Sequence, residues 1–476
     1  MTRNLALLTF ALALPFARAQ TVTPTPATDR ALSIEIFKQL IEINTTDTPL
    51  GNVTTGTAAM QKRFLDAGFA ASEVHLLGPD TRKQNLVVRI KGKTIAKGVL
   101  FLGHMDVVEA LPADWHTNPF QFVTKDGYYY GRGTQDMKDS DAALVATFLR
   151  LHREGYQPER DLILALTADE EGGSFNGADW LVRNHRELVD AAFVINPDSG
   201  GIELEHGKPV VADVEATEKV YSDFQVTATN PGGHSSRPRP DNAIYELTAA
   251  LGKLAGYSFP FEMNGVTRAY FEALVKQETG PNAADIRAIL ADPPDLAAAA
   301  RLSAEPEFNA NFRTTCVATR LAAGHANNAL AQTAQANVNC RIFPGHSPEE
   351  IRKQLIGLFA DPKLTVKFVS DAGIVSETAP DRKAIVPPPP LKEVFDPLTS
   401  LVDQIWPGTP VTAVMENGAS DSIYFAQAGI PCYGFSAIAL ERGDDRAHGQ
   451  DERLPVDSYD KSVDFFYAYL KALGGS

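Results

Sequence analysis

The chain has 476 residues, 44% of them hydrophobic, which is enough for two domains with a sizeable core. Acidic residues outnumber basic ones by 59 to 44, a formal charge of -15 that disfavours nucleic acid and anionic membranes as partners. The three cysteines, Cys316, Cys340 and Cys432, have no C-x-x-C spacing, which argues against a zinc–thiolate site.

The amino terminus reads Met1-Thr2-Arg3-Asn4, an apolar stretch from Leu5 to Phe16, and Ala17-Arg18-Ala19 before Gln20. A short positive region, a short apolar core and an Ala-x-Ala site predict a signal peptide over residues 1–19. Export to the periplasm or the outside follows, with cleavage near Ala19-Gln20. Residues 20–30, rich in Thr and Pro from Thr21 to Thr28, read as an exposed linker to the first helix. No later segment is long and apolar enough to span a bilayer.

The run from Lys97 to His104 is nearly all apolar and reads as a buried strand of a parallel sheet. It ends in Gly103-His104-Met105-Asp106. Two residues apart in extended chain, His104 and Asp106 point the same way, a spacing that suits a metal ligand and the group that orients it. Gly133-Thr134-Gln135-Asp136-Met137-Lys138 follows, and Leu144, Phe148 and Leu151 then mark a helix that Gly155 ends. A second buried strand, Asp161 to Ala168, runs into Asp169-Glu170-Glu171-Gly172-Gly173. Adjacent glutamates in such a turn point in different directions, so one can bind metal while the other holds a proton beside the reacting water.

After Asn196-Pro197-Asp198 the character changes. Val220 to Thr229 alternates like a half-exposed strand, Ala243 to Leu254 reads as an apolar helix, and Thr314 to Leu321 and Ala331 to Phe343 as further strands. This pattern predicts an antiparallel sheet with helices on one face. Cys316 and Cys340 could bridge its neighbouring strands, although buried free thiols are the expectation. A Pro- and Ala-rich insertion from Gly280 to Glu307 and the Pro387-Pro388-Pro389-Pro390 run precede the last motif, Ala447-His448-Gly449.

Buried carboxylates cost several kcal/mol unless paired or bound to a cation. His104, Asp136, Glu171, Asp198 and His448 therefore read as ligands of divalent ions. Imidazole and carboxylate without thiolate suit a catalytic zinc or a similar borderline ion, and five ligands fit two ions sharing a bridging carboxylate.

These motifs, together with Val107-Val108, the Trp115 to Phe120 stretch, Tyr130-Gly131-Arg132-Gly133 and Gly232-Gly233-His234-Ser235-Ser236, resemble the M20 family of metallo-hydrolases from about Ile34 to Tyr469. The carboxypeptidase S and N-acyl-amino-acid hydrolase branch is the nearest in flavour. The resemblance implies an α/β catalytic domain over residues 31–217 and 376–476, with a mixed, largely parallel sheet and flanking helices of the zinc-exopeptidase kind. An α+β ferredoxin-like lid or dimerisation domain over 218–375 would interrupt it. The resemblance makes Asp136 the bridging ligand of two Zn2+, with Co2+ or Mn2+ as substitutes. His104 and Asp198 would hold one ion, and Glu171 and His448 the other.

Glu170 becomes the general base, Asp106 the orienter of His104, and His234 the group that polarises the scissile carbonyl, often in the partner subunit's site. A non-prolyl cis peptide is implied at Asp136-Met137. Relatives often have small residues after Asp-Met-Lys, whereas this chain has Asp139-Ser140-Asp141, where Asp139 or Ser140 is read as a helix cap. Arg341 and Asn328 occupy positions that hold a substrate carboxylate, a task suited to the planar arginine fork, and Gly418 and Ser420 lie in a loop that donates backbone N–H groups to it.

The implied reaction is metal-dependent hydrolysis of a peptide or N-acyl amide bond beside a free carboxylate, by an exported carboxypeptidase or dipeptidase acting on a small peptide or N-acyl amino acid. A homodimer through the lid is implied as well. The alternatives are an aminoacylase acting on N-acyl amino acids and, from another class, a catalytically silent binding protein on the same fold. Loss of a ligand or of Glu170 would mark the latter, and the sequence retains them all.

Overall fold

The structure is a computed structural model describing residues 21–276, 278, 280–370, 373–380 and 384–475; the signal peptide expected over residues 1–19 lies outside the described residues. Its centre is a ten-stranded sheet whose middle strands are parallel. Gly98–His104 lies between Leu162–Thr167 and Ala191–Asn196, parallel to both, and Cys432–Gly434 continues parallel beside Ala191–Asn196. Every residue of Gly98–His104 and Leu162–Thr167 is buried, which is why both read as unbroken apolar runs without alternation. Antiparallel strands Asn85–Ile90 and Val74–Leu77 extend one side, and Lys208–Glu218, Gly201–Glu205 and Ala439–Glu441 the other.

Helices Ala27–Ile41, Lys138–Arg153 and Val456–Gly474 pack together on this sheet, with Phe37, Phe148, Phe465 and Tyr469 in one continuous core. The expected linker over residues 20–30 is shorter than that among the described residues, ending at Pro26. The first helix begins at Ala27, and the stretch before it is tied down by Val22 N–H to Gln404 Oε1 at 3.0 Å and Thr25 N–H to Asp464 Oδ1 at 2.7 Å. Thr25 and Asp29 are buried here, while Thr21, Thr23 and Thr28 remain exposed.

A second sheet of five antiparallel strands follows Lys219, in the spatial order Thr315–Ala323, Thr333–Ile342, Val220–Thr229, Leu364–Val369 and Val375–Ser376. Its first four strands run strand–helix–strand–strand–helix–strand along the chain, the ferredoxin-like arrangement. Helices Ala243–Ala255 and Pro348–Phe359 cover one face, packing Leu247, Leu254, Leu355 and Phe359 on Phe224, Val226 and Val338. The other face carries Tyr221, Asp223, Asn337, Asn339 and Arg341.

One expectation fails in this region. Cys316 and Cys340 stand opposite each other in the register and form a disulfide, so only Cys432 is a free thiol. The Gly280 to Glu307 stretch folds as part of a helical unit, Gly265–Leu274, Pro281–Ile289, Leu296–Leu302 and Pro306–Phe312, with its own core of Phe271, Ile286, Ile289 and Phe312. Its Gly265–Leu274 helix sends Val266 into the core of the first sheet. No helix among the described residues is long and apolar enough to cross a membrane.

Candidate metal centre

The parallel strands deliver their next residues to one end of the sheet. His104 closes its strand, Glu170 and Glu171 follow Leu162–Thr167, Asp198 follows Ala191–Asn196, and Asp136 precedes the Lys138–Arg153 helix. Because these strands are neighbours and point the same way, residues far apart in sequence converge. His104 Nε2 lies 2.9 Å from Asp136 Oδ1 and 3.3 Å from Asp198 Oδ1. His448 arrives from the far end of the chain, its Nε2 2.9 Å from both Asp136 Oδ2 and Glu171 Oε2. Asp136 thus presents one oxygen to each imidazole.

Donor atoms of His104, Asp136 and Glu171 lie within 4.8 Å of one another, and so do those of His104, Glu170 and Asp198. The peptide between Asp136 and Met137 is cis.

The charges need a cation. Burial works against a proton on His104, yet Asp198 and Asp136 raise its pKa well above the usual imidazole value, and hydrogen bonds to Asp136 and Glu171 raise that of His448 to about 10. Burial, then the Asp198 charge, push the Glu170 carboxyl well above the carboxylate range. Crowded carboxylates that would otherwise gather protons are the setting in which divalent ions replace them, and an all-nitrogen and oxygen donor set matches a catalytic ion. The residues fit two metal ions.

Asp106 does a different job from the one its spacing suggests. His104 Nδ1 pairs with the backbone carbonyl of Asp106 at 3.1 Å, while the nearest carboxylate oxygen is 3.8 Å away. The carboxylate accepts the N–H of Glu170 at 3.1 Å and of Glu171 at 2.9 Å, one on each oxygen. It therefore orients the glutamate turn, and the main chain orients the histidine. The helix-cap reading of Asp139 or Ser140 also fails. The N-cap position is Met137 with no side-chain cap bond, and both residues are buried in the first turn.

Several supporting groups escaped the sequence reading. Glu452, fully buried, accepts the N–H groups of Gly133 and Gln135 and pairs with Arg132 Nη1 at 2.6 Å, fixing the loop that carries Asp136. Its position four residues after His448 was the available signal. Asp421 accepts Thr167 Oγ1 and Asn176 Nδ2, both at 2.7 Å, behind the glutamates. Lys83 pairs with Asp169, whose φ is 60°, and Lys138 Nζ caps the carbonyls of Leu40 and Ile43 at 3.0 Å. Asp141 Oδ1 stands where a Cβ on Gly103 would be, which explains that glycine.

The expected substrate contacts are not gathered here. His234 and Asn328 lie together at a two-stranded ribbon, where Ser235 N–H donates to Asn328 carbonyl at 3.0 Å and His234 Nδ1 pairs with Ser236 Oγ at 2.8 Å. Arg341 stacks 4.7 Å over the Tyr221 ring on the uncovered face of the second sheet. The N–H groups of Gly418 and Ser420 are already engaged by Glu416 Oε1 at 2.9 Å and Glu218 Oε2 at 2.7 Å.

Comparisons with known proteins agree on one lineage. Residues 100–472 match the family model for peptidase family M20/M25/M40. The chain is 30% identical over 387 residues to a probable carboxypeptidase S-like 2 of Dictyostelium discoideum, covering 79% of this chain and 71% of that protein. It is 28% identical to the N-fatty-acyl-amino acid synthase/hydrolase PM20D1 of Homo sapiens, over 78% and 73% of the two chains. An M20 family metallo-carboxypeptidase from Sulfolobus solfataricus shares the fold with a TM-score of 0.67 at 15% identity, over 93% of this chain and 99% of its own. The match spans both the sheet that carries the metal centre and the sheet inserted into it, and the chain belongs to peptidase family M20/M25/M40.

Proposed function

We propose that this enzyme hydrolyses an amide bond, peptide or N-acyl, adjacent to a free carboxylate in a small substrate. The observation that carries the reading is Asp136, which offers one oxygen to His104 and the other to His448. In this reading His104, Asp198 and Asp136 would hold one ion, and Glu171, His448 and Asp136 the other. Zinc bound there, with cobalt or manganese as substitutes, would polarise the scissile carbonyl and ease deprotonation of water.

Glu170, half-buried beside the cluster with its pKa raised, takes the proton from the attacking water and returns it to the leaving amine. Asp106 holds the Glu170-Glu171 turn so that one carboxyl faces the ligands and the other the reacting atoms. His234 donates to the developing oxyanion, from its own chain or as His234 of the partner subunit in a lid-mediated dimer. Arg341 and Asn328 hold the carboxylate on closure of the second domain, residues 218–375, over the catalytic residues of 31–217 and 376–476. Residues 1–19 act as an export signal in this reading.

An N-acyl amino acid is the second form of the same substrate class, favoured by the likeness to the human N-fatty-acyl-amino acid synthase/hydrolase. The test is a panel of dipeptides and N-acyl amino acids as free acids and as amides, before and after chelation. Hydrolysis of the free acids, lost on chelation and restored by zinc, is expected. Equal hydrolysis of the amidated forms would overturn the reading.

A further inference from the structure

Two stretches of chain connect the domains. One is the end of strand Lys208–Glu218, which passes through Lys219 into Val220–Thr229, and the other is the return through residues 384–390. Both line a cavity of about 140 Å³, together with Ala426, Ile430 and Cys432. None of the candidate metal ligands lines it.

The polar part of the cavity wall is acidic and short of partners. Glu218 is 4% exposed; its Oε2 accepts the Ser420 N–H at 2.7 Å, and its Oε1 has no partner. Thr217 beside it is buried with an unpartnered hydroxyl, and Glu215, also buried, accepts Ser199 Oγ. Burial and the charge of Glu215 push the Glu218 carboxyl well above the carboxylate range. The cation nearest along the chain, Lys219, turns instead to the Thr315 hydroxyl. Neither glutamate has an ion-pair partner among the described residues.

The rest of the wall is apolar, with Ile385, Ile430 and Pro431 inside and Val386 exposed to solvent. Buried carboxylates are costly without a cation, and the two kinds of wall together select which cation fits. A metal ion needs several donors around it, and the donor groups close enough to hold one lie at the strand ends, not here. A primary ammonium offers three N–H donors, matching Glu218 Oε1, Glu215 and Thr217 Oγ1, while its carbon body covers Ile385 and Ile430. A cavity of about 150 Å³ takes a benzene ring, which sets the size of that body. A carboxylate on the same molecule would meet Glu215 and Glu218, so free amino acids are excluded, including any that the proposed hydrolysis releases.

We infer that this cavity is a binding site for a small primary amine with an apolar, ring-sized body and no carboxylate. The site does not depend on the proposed hydrolysis. Its occupant touches both connections between the domains, and Glu218 also holds Ser420, next to the Asp421 that supports Thr167 and Asn176 behind the two glutamates of the metal centre. An amine seated there is placed to bias closure of the second domain.

Calorimetric titration of the metal-loaded enzyme with benzylamine and with benzyl alcohol tests the site. The two have the same shape, and only the amine is charged at neutral pH. Benzylamine should bind, and benzyl alcohol should bind about tenfold or more weakly, because hydrogen bonds to a charged group are the stronger ones.

Glu218→Gln should remove the preference for the amine. Ala426→Leu, which fills the cavity, should remove binding of both compounds while the melting temperature holds. Either variant decides alone should the other fail to fold. Benzylamine bound as tightly by these variants as by the wild type lies elsewhere, at the metal centre or on the surface, and overturns the inference. So do equal affinities for amine and alcohol, or no binding of benzylamine at all. Each of these results leaves the proposed hydrolysis standing.

Discussion

The carboxyl ends of the central parallel strands and the uncovered face of the second sheet handle charge in opposite ways. At the strand ends, the candidate ligands His104, Asp136 and Glu171 are held by the fold before any substrate arrives. Asp106 fixes the two glutamates, Glu452 fixes the Asp136 loop, and the main chain fixes the His104 ring. On the second sheet, Arg341 is held by one aromatic ring and a neighbouring strand, and His234 by a short exposed ribbon. The first arrangement suits chemistry that needs fixed distances. The second suits recognition completed by a moving part.

That contrast makes the second sheet the place to disturb substrate choice and the first the place to disturb turnover. The largest effect should come from amidating the substrate carboxylate. Once closure buries Arg341 and Asn328 around the anion, the site should reject the neutral analogue by about 10⁴ to 10⁵ in kcat/KM, and comparison of one peptide in both forms measures it. Next is Glu170→Gln, which should lower turnover by about 10² to 10⁴ while metal content, measured on the purified protein, stays unchanged. Retained turnover in the fully loaded variant would assign the base elsewhere.

Asp106→Asn should be milder, about 10- to 100-fold in activity or metal affinity, because His104 keeps its backbone carbonyl and only the glutamate turn loosens. A loss as large as that of a ligand would instead place the Asp106 carboxylate in the first coordination sphere. Removing the Cys316–Cys340 bridge by a double Ser substitution should cost about 3 kcal/mol of stability for a loop of 24 residues, read by denaturant unfolding. Turnover should change less than stability, since the bridge lies in the second sheet.

The same contrast explains what could be read from the sequence. Strand Gly98–His104 and strand Leu162–Thr167 were legible because both faces are buried, so no alternation obscures the apolar run, and their polar ends name the ligands directly. The antiparallel second sheet was legible from alternation in Val220–Thr229, while its ferredoxin-like order came with the family resemblance. Contacts between distant segments were not. The carboxylate of Asp106 turns to the N–H groups of Glu170 and Glu171 because those lie on the neighbouring strand's end, and no local spacing records that. Glu452 and Asp421 look like ordinary loop acids until the loops they brace are folded against them. The disulfide needed the register that puts Cys316 opposite Cys340. Thr25 reads as linker until Asp464 of the last long helix is beside it.

In the proposed centre Asp136 joins two ligand sets, one closed by His104 and the other by His448. Metal stoichiometry tests it most directly. Wild-type protein stripped by chelation and titrated with zinc should take up two ions per chain, and His448→Ala should keep one tightly while losing the other. Uptake of a single ion by the wild type, or two equally tight ions in His448→Ala, would contradict the account.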